Sequence, residues 1–178
     1  GAILATDVGA AIDLTSNYFG GNAAIGNGGA VYVDSPLATV DFVNCTLEDN
    51  SALGTGAGGG AWINRSAGVT VNGGSFIANT SYNAGGGLGV SRATFFTIYG
   101  TDFETNEVTA NRGGGLYAGF MSGPVSVQSV NFVNNSAPIG GAFGTLDELS
   151  LDIVDSTFDS NTSTDEGGAL NLQNSGET

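Results

Sequence analysis

Histidine and lysine are absent from this chain, cysteine occurs once, and proline only three times in 178 residues. Each shortage excludes something. Without His or Lys, the side chains that most often move protons near neutral pH, a lyase-type abstraction would fall to an arginine or a carboxylate. A lone thiol, Cys45, rules out an internal disulfide and a cysteine-built zinc site. Basic charge is almost missing as well: Arg65, Arg92 and Arg112 stand against 17 acidic residues, a formal net charge of −14. Such a surface repels the phosphates of nucleic acid and of an anionic membrane, so neither partner is expected. It suits solubility and the attraction of divalent cations. No run of about 18 apolar residues exists, so no helix is expected to span a bilayer. The opening GAILATDVGAAIDL has no Met and no basic segment, so any secretion signal is expected outside these residues.

What is present is glycine, 31 residues of it, with apolar residues at 40 %. That is too hydrophobic for a disordered chain, and the strict third-residue period of collagen is missing. A longer period replaces it. Phe19, Leu47, Phe76, Phe103, Phe132 and Phe158 are each followed three places on by an asparagine: Asn22, Asn50, Asn79, Asn106, Asn135 and Asn161. Seven and five residues before each anchor stands an apolar pair, from Ile12/Leu14 to Leu151/Ile153. After each asparagine come four to seven residues, then Gly-Gly, a small residue and a second apolar pair, from Val31/Val33 to Leu170/Leu172. The first member of that pair precedes the next anchor by 15 or 16 residues every time, so length varies only in the loops.

Alternation at period two is the signature of strands, and no helical period interrupts it. A repeat of 27 to 30 residues cannot bury its apolar face alone, but stacked copies can. The expected fold is therefore all-β: a right-handed parallel β-helix of about six windings, three short strands to a winding, forming one domain over residues 1–178. At a strand spacing near 4.8 Å, six windings make a rod about 30 Å long. The anchors should stack inside the tube, and the asparagines should close left-handed corners and bond to one another in a ladder.

The two motifs, GGA[ILV] and FxxN, resemble the repeats of the polymorphic outer membrane proteins of chlamydiae and their relatives in other bacteria and some algae. The resemblance runs through nearly the whole chain. It implies a surface-displayed, often adhesive β-helix carried by a separate C-terminal barrel, of which these residues hold no trace. Leu47 replaces the Phe of one copy, and three copies read Gly-Gly-Gly.

Outward positions are where function would sit. On the second strand of each winding these are Asp13, Asp41, Thr70, Thr97, Ser126 and Asp152. A glycoside hydrolase needs two carboxylates about 5–10 Å apart; a solvated polar face needs nothing more. Asp13 and Asp41, one winding apart, are also the weak candidates for a calcium site, although the calcium nonapeptide repeat is missing. No other cofactor is expected. The strand after Gly-Gly places Tyr32, Trp62 and Tyr117 in one outward row with glycine gaps, where they would stack on a sugar or partner protein, or only cover their neighbours. Arg65 and Arg92 occupy equivalent positions just beyond, to bind carboxylated sugars or to neutralise nearby acids. Gly54, Gly56 and Gly59 fit G-x-G-x-x-G, but no helix follows and the other repeats put their Gly corner there, so nucleotide binding is not expected. Cys45 should face the core as an inert thiol. Of five N-x-[S/T] sites, Asn44, Asn64 and Asn134 are the candidate glycan acceptors, since Asn79 and Asn161 belong to the ladder.

Neither terminus carries a polar cap, so the chain is expected to be a segment of a longer repeat protein, or to have its ends covered by other copies or chains. Taken together, the residues favour a non-catalytic extracellular module of a cell-surface protein or filament, structural or adhesive. The alternative is a polysaccharide-binding or polysaccharide-processing β-helix using the aromatic and acidic face. Surface glycans or host and partner proteins would then be its ligands.

Overall fold

The computed structural model describes residues 1–147 and 150–174. Among these residues, strands of two to five residues wind into a parallel solenoid with four sheets, one of seven strands and three of six. The first sheet holds the strands that follow Gly-Gly, among them Val31–Asp34, Ala61–Asn64, Leu88–Ser91 and Leu116–Gly119. The second runs through Ile12–Thr15, Thr39–Val43, Gly68–Asn72 and their successors, and the third carries the FxxN anchors, as in Ser75–Ile77 and Asp102–Glu104. Every pairing is parallel, and equivalent residues of the repeat are direct neighbours: Val31 beside Ala61, Val69 beside Phe96, Phe76 beside Phe103. Sequence alignment and spatial register are the same thing here.

The strand count per winding is four, not three. The fourth strand is two residues long in most windings, as at Ser51–Ala52 and Thr80–Ser81, and two residues are too few to show alternation. It lies in what the sequence presents as loop, between the asparagine and Gly-Gly.

Corners between sheets are made by single residues with positive φ. At the corner before the fourth sheet these are Gly21, Asp49, Ala78, Thr105, Asn134 and Ser160, with φ between 52° and 65°. Each stands just before a ladder asparagine. The expectation that the asparagine itself adopts the left-handed conformation is thus corrected: Asn22, Asn50, Asn79, Asn106, Asn135 and Asn161 supply hydrogen bonds, and their neighbours bend the chain. The side-chain N–H of Asn79 donates to Asn106 Oδ1 at 3.0 Å and to the Leu47 carbonyl at 2.8 Å, while Asn79 Oδ1 accepts from the Asn50 side chain and backbone at 2.9 and 3.0 Å. Both donors and both lone pairs are used, and the same set recurs at Asn50, Asn106 and Asn135. A left-handed L-residue costs about 1–2 kcal/mol; with the buried amide fully bonded, the ladder offsets it.

Beside the ladder runs the anchor column. Phe76, Phe103, Phe132 and Phe158 stack with centroids 4.9, 5.1 and 4.9 Å apart and rings within 13° of parallel. Leu47 continues the column fully buried, and Phe19 and Phe158 at its two ends are half-buried. The inward pairs of the first and second sheets complete one contiguous core with them. Leu172 departs from the pattern, standing 57 % exposed beside the half-buried Leu170.

Gly-Gly has two separate jobs. Its first residue turns the chain at φ between 60° and 71°, as at Gly28, Gly58, Gly85, Gly113, Gly140 and Gly167. Its second lets backbone pass over backbone: a Cβ on Gly59 or Gly86 would strike the carbonyl oxygen of Gly86 or Gly114 in the next winding.

Phe132→Ala should cost about 3–5 kcal/mol in chemical denaturation, because the ring is fully buried between two others. Asn106→Asp, nearly isosteric but unable to donate to Phe76 O and Asn135 Oδ1, should cost more than about 2 kcal/mol in the same measurement.

Candidate functional site

Outside the first sheet, one row of side chains runs through Leu4, Tyr32, Trp62, Gly89, Tyr117, Gly144 and Asn171, each the register neighbour of the next. A second outward row is Asp34, Asn64, Ser91 and Gly119. Because successive windings lie a strand's width apart, a glycine in either row leaves a gap that a neighbour can enter. Trp62 enters the gap at Gly89, where a Cβ would strike its ring, and its indole stacks on Tyr117 with centroids 5.9 Å apart and planes at 13°. Arg112 lies over the gap at Gly144.

The three aromatics are therefore not an exposed platform. Tyr117 is buried at 5 % exposure and packs with Ala57 and Ala84, Trp62 is half-buried against them, and Tyr32 leans over Asp34 with its hydroxyl donating to Oδ2 at 3.3 Å. The expected open row of Tyr32, Trp62 and Tyr117 is corrected accordingly, with Tyr117 as a supporting residue. Covering of the sheet by its own side chains wins because the glycine gaps give the rings somewhere to go.

At the edge of this face the chain turns through Asp7, Arg65, Arg92, Phe120 and Asp147, all with φ between 51° and 59°. Ser35 breaks the series, as Pro36 after it disfavours that conformation. Arg65 and Arg92 are indeed equivalent, but they do different things. Arg65 Nε meets Asp34 Oδ1 at 2.6 Å. That N–H holds the Asp34 carboxyl below the usual aspartate range, and Asp34 in turn raises Arg65. Burial first, and the Asp34 charge second, push the Tyr32 hydroxyl upward. One winding on, Asn64 stands where Asp34 stood, so Arg92 Nη1 meets only the amide oxygen, at 3.4 Å, and its guanidinium lies 5.2 Å over the Phe120 ring.

Arg92, Arg112, Trp62, Tyr117 and Phe120 line one recess of about 240 Å³, with Asn83 and Asn111 on its wall. The repeat alone does not place Arg112 and Phe120 at this recess. The sequence signal for Arg112 is its place just before the Gly113 corner, which turns it back over the first sheet.

The winding that ends the described residues decides the likeness. Residues 155–173 match the Chlamydia polymorphic membrane protein repeat. That segment contains Phe158 and Asn161 of FxxN and the run Gly167, Gly168, Ala169, Leu170, the very motifs on which the resemblance rests. Together with the parallel solenoid, it fits a β-helix of Pmp-type repeats. No curated protein and no solved structure matches the chain.

On the second sheet of the solenoid, Asp13 and Asp41 are direct register neighbours, Asp13 exposed and Asp41 half-buried. Among the described residues no group of three or more His, Cys, Asp or Glu comes together, so the pair lacks further side-chain ligands of those types. Cys45 is buried, its thiol directed to the Leu14 carbonyl at 3.1 Å. Of the candidate glycan acceptors, Asn44 and Asn134 are exposed on left-handed corners. Asn64 is corrected as the poorest of the three: it is half-buried, donating to Asp34 at 3.2 Å and accepting from Arg92.

Trp62 is the chain's single tryptophan. Gly89→Val should expel it from the Tyr117 stack, moving its fluorescence emission to longer wavelength and increasing its quenching by acrylamide. The Asp34 carboxylate, with its pKa depressed when folded, adds stability above the ordinary aspartate value near 3.9 that is lost as pH falls through the folded value. Asp34→Asn should therefore lower Tm at pH 7, and the gap to the parent protein should close below about pH 4 in thermal melts.

Proposed function

We propose that the chain is a non-catalytic, extracellular β-helix module of a cell-surface protein or filament, acting as a stiff spacer that presents adhesive surface. The single observation that carries this is the Pmp-type repeat matched over residues 155–173 within a solenoid that repeats the same motifs in every winding. Chlamydia polymorphic membrane proteins are membrane proteins by description, which supports a place at the cell envelope. The residue inventory supports the absence of catalysis: no His or Lys is available, and Asp13 and Asp41 belong to a row continued by Thr70, Thr97 and Ser126. A rod whose register is held entirely from inside leaves its outward rows free to change with the ligand.

Antibody to the chain should label intact cells of the source, and brief protease treatment of those cells should remove the label. Labelling only after permeabilisation would overturn the surface assignment.

A further inference from the structure

We infer that the recess beside Trp62 binds a carboxylated sugar, a uronic or sialic acid residue. This deepens the adhesive reading and rests on it only for where the sugar is met.

Charge is the first ground. The chain has three cations against 17 acids, and two of the three, Arg92 and Arg112, line the same recess of about 240 Å³. A cation whose task is to neutralise the acidic surface should have a carboxylate beside it, and Arg65 does. Among the described residues, Arg92 and Arg112 have none within ion-pair distance. Arg92 donates to the Asn64 amide oxygen, and Arg112 to neutral oxygens: Asn111 Oδ1 at 3.3 Å, Thr145 O at 3.0 Å and Gln173 Oε1 at 2.9 Å. These bonds fix Arg112 in place without cancelling its charge. The replacement of Asp34 by Asn64 at the equivalent position is what leaves Arg92 uncompensated. A planar guanidinium matches a carboxylate with two parallel N–H donors, a stronger contact than a neutral hydrogen bond.

The rest of the lining favours a sugar over an acidic peptide. The half-buried Trp62 indole and the exposed Phe120 ring present apolar surface to the C–H groups of a pyranose. Asn111 donates to Asn83 Oδ1 at 2.9 Å, leaving the Asn83 N–H groups to face hydroxyls. An extended peptide would want a long groove or a free strand edge; this recess lies on the face of a sheet whose strands are paired on both sides.

Calorimetric titration of the purified chain with trigalacturonic acid and with 3′-sialyllactose tests the inference, with the trigalacturonic methyl ester and lactose as neutral counterparts. At least one acid should bind saturably, its counterpart about tenfold or more weaker, since each charge-assisted bond lost is worth roughly a tenfold change. Arg92→Gln should weaken binding by about tenfold or more, whereas Arg65→Gln, at the equivalent corner, should leave it unchanged. Both side chains are exposed, and thermal melts check that each variant keeps its fold. No binding of either acid, equal binding of the neutral counterparts, an undiminished Arg92→Gln, or tighter binding to a glutamate peptide would each overturn it. Surface labelling of cells is independent of these results, so a failed recess and a failed localisation are told apart.

Discussion

A buried primary amide has two donors and two acceptor lone pairs, and in the interior of this rod the neighbouring windings must satisfy all of them. Asn50, Asn79, Asn106 and Asn135 do so by bonding to the equivalent asparagine and to a backbone carbonyl. A slip of one residue in any winding would bury these groups unpaired, at about 1–3 kcal/mol for each. The ladder therefore sets the register, and through it the Phe column alongside, the inward pairs of two sheets, and every outward row. Dispersion and burial in the anchor column supply much of the favourable free energy, but apolar contacts alone tolerate sliding. The hydrogen bonds do not.

A rod built in this way separates its inside from its outside. Inward positions can change only within narrow limits, because each touches its own counterpart above and below; Leu47 in the Phe column is such a change. Outward positions meet solvent or the side chain of the next winding. Charge can then vary from winding to winding, and the Asp34 to Asn64 step turns an internally paired arginine into an uncompensated one without disturbing the backbone. Glycine in an outward row has a comparable effect. The gaps at Gly89 and Gly144 admit Trp62 and Arg112, which makes a concave, cationic and aromatic spot on the face of the first sheet.

Placing carboxylates on the remaining outward surface has a cost that spacing reduces. Asp13 and Asp41 are neighbours, but Thr70, Thr97 and Ser126 follow them before Asp152 appears. Net charge of this size keeps such rods apart in solution while restricting what they attract at long range. Recognition of an anion by this chain has to be local, made by guanidinium groups held in place by neutral oxygens.

The repeat alone determined the parallel β-helix, its register, the inward column of Phe76, Phe103 and Phe132, the asparagine ladder, and the equivalence of Arg65 with Arg92. It could do so because a solenoid converts sequence period directly into neighbourhood. The fourth sheet is not legible in the repeat because a two-residue strand has no period, and the bend made by Asp49, Ala78 and Thr105 cannot be told from the ladder asparagines by period alone because adjacent positions recur together. Only tertiary structure decided that Tyr117 is buried, that Trp62 crosses Gly89 to reach it, that Asn64 is engaged, and that Arg112 joins Arg92 in one recess. Those outcomes depend on which way a side chain leans across a gap between windings, and that direction is set by the space its neighbours leave, a property of the packed rod that no single repeat contains.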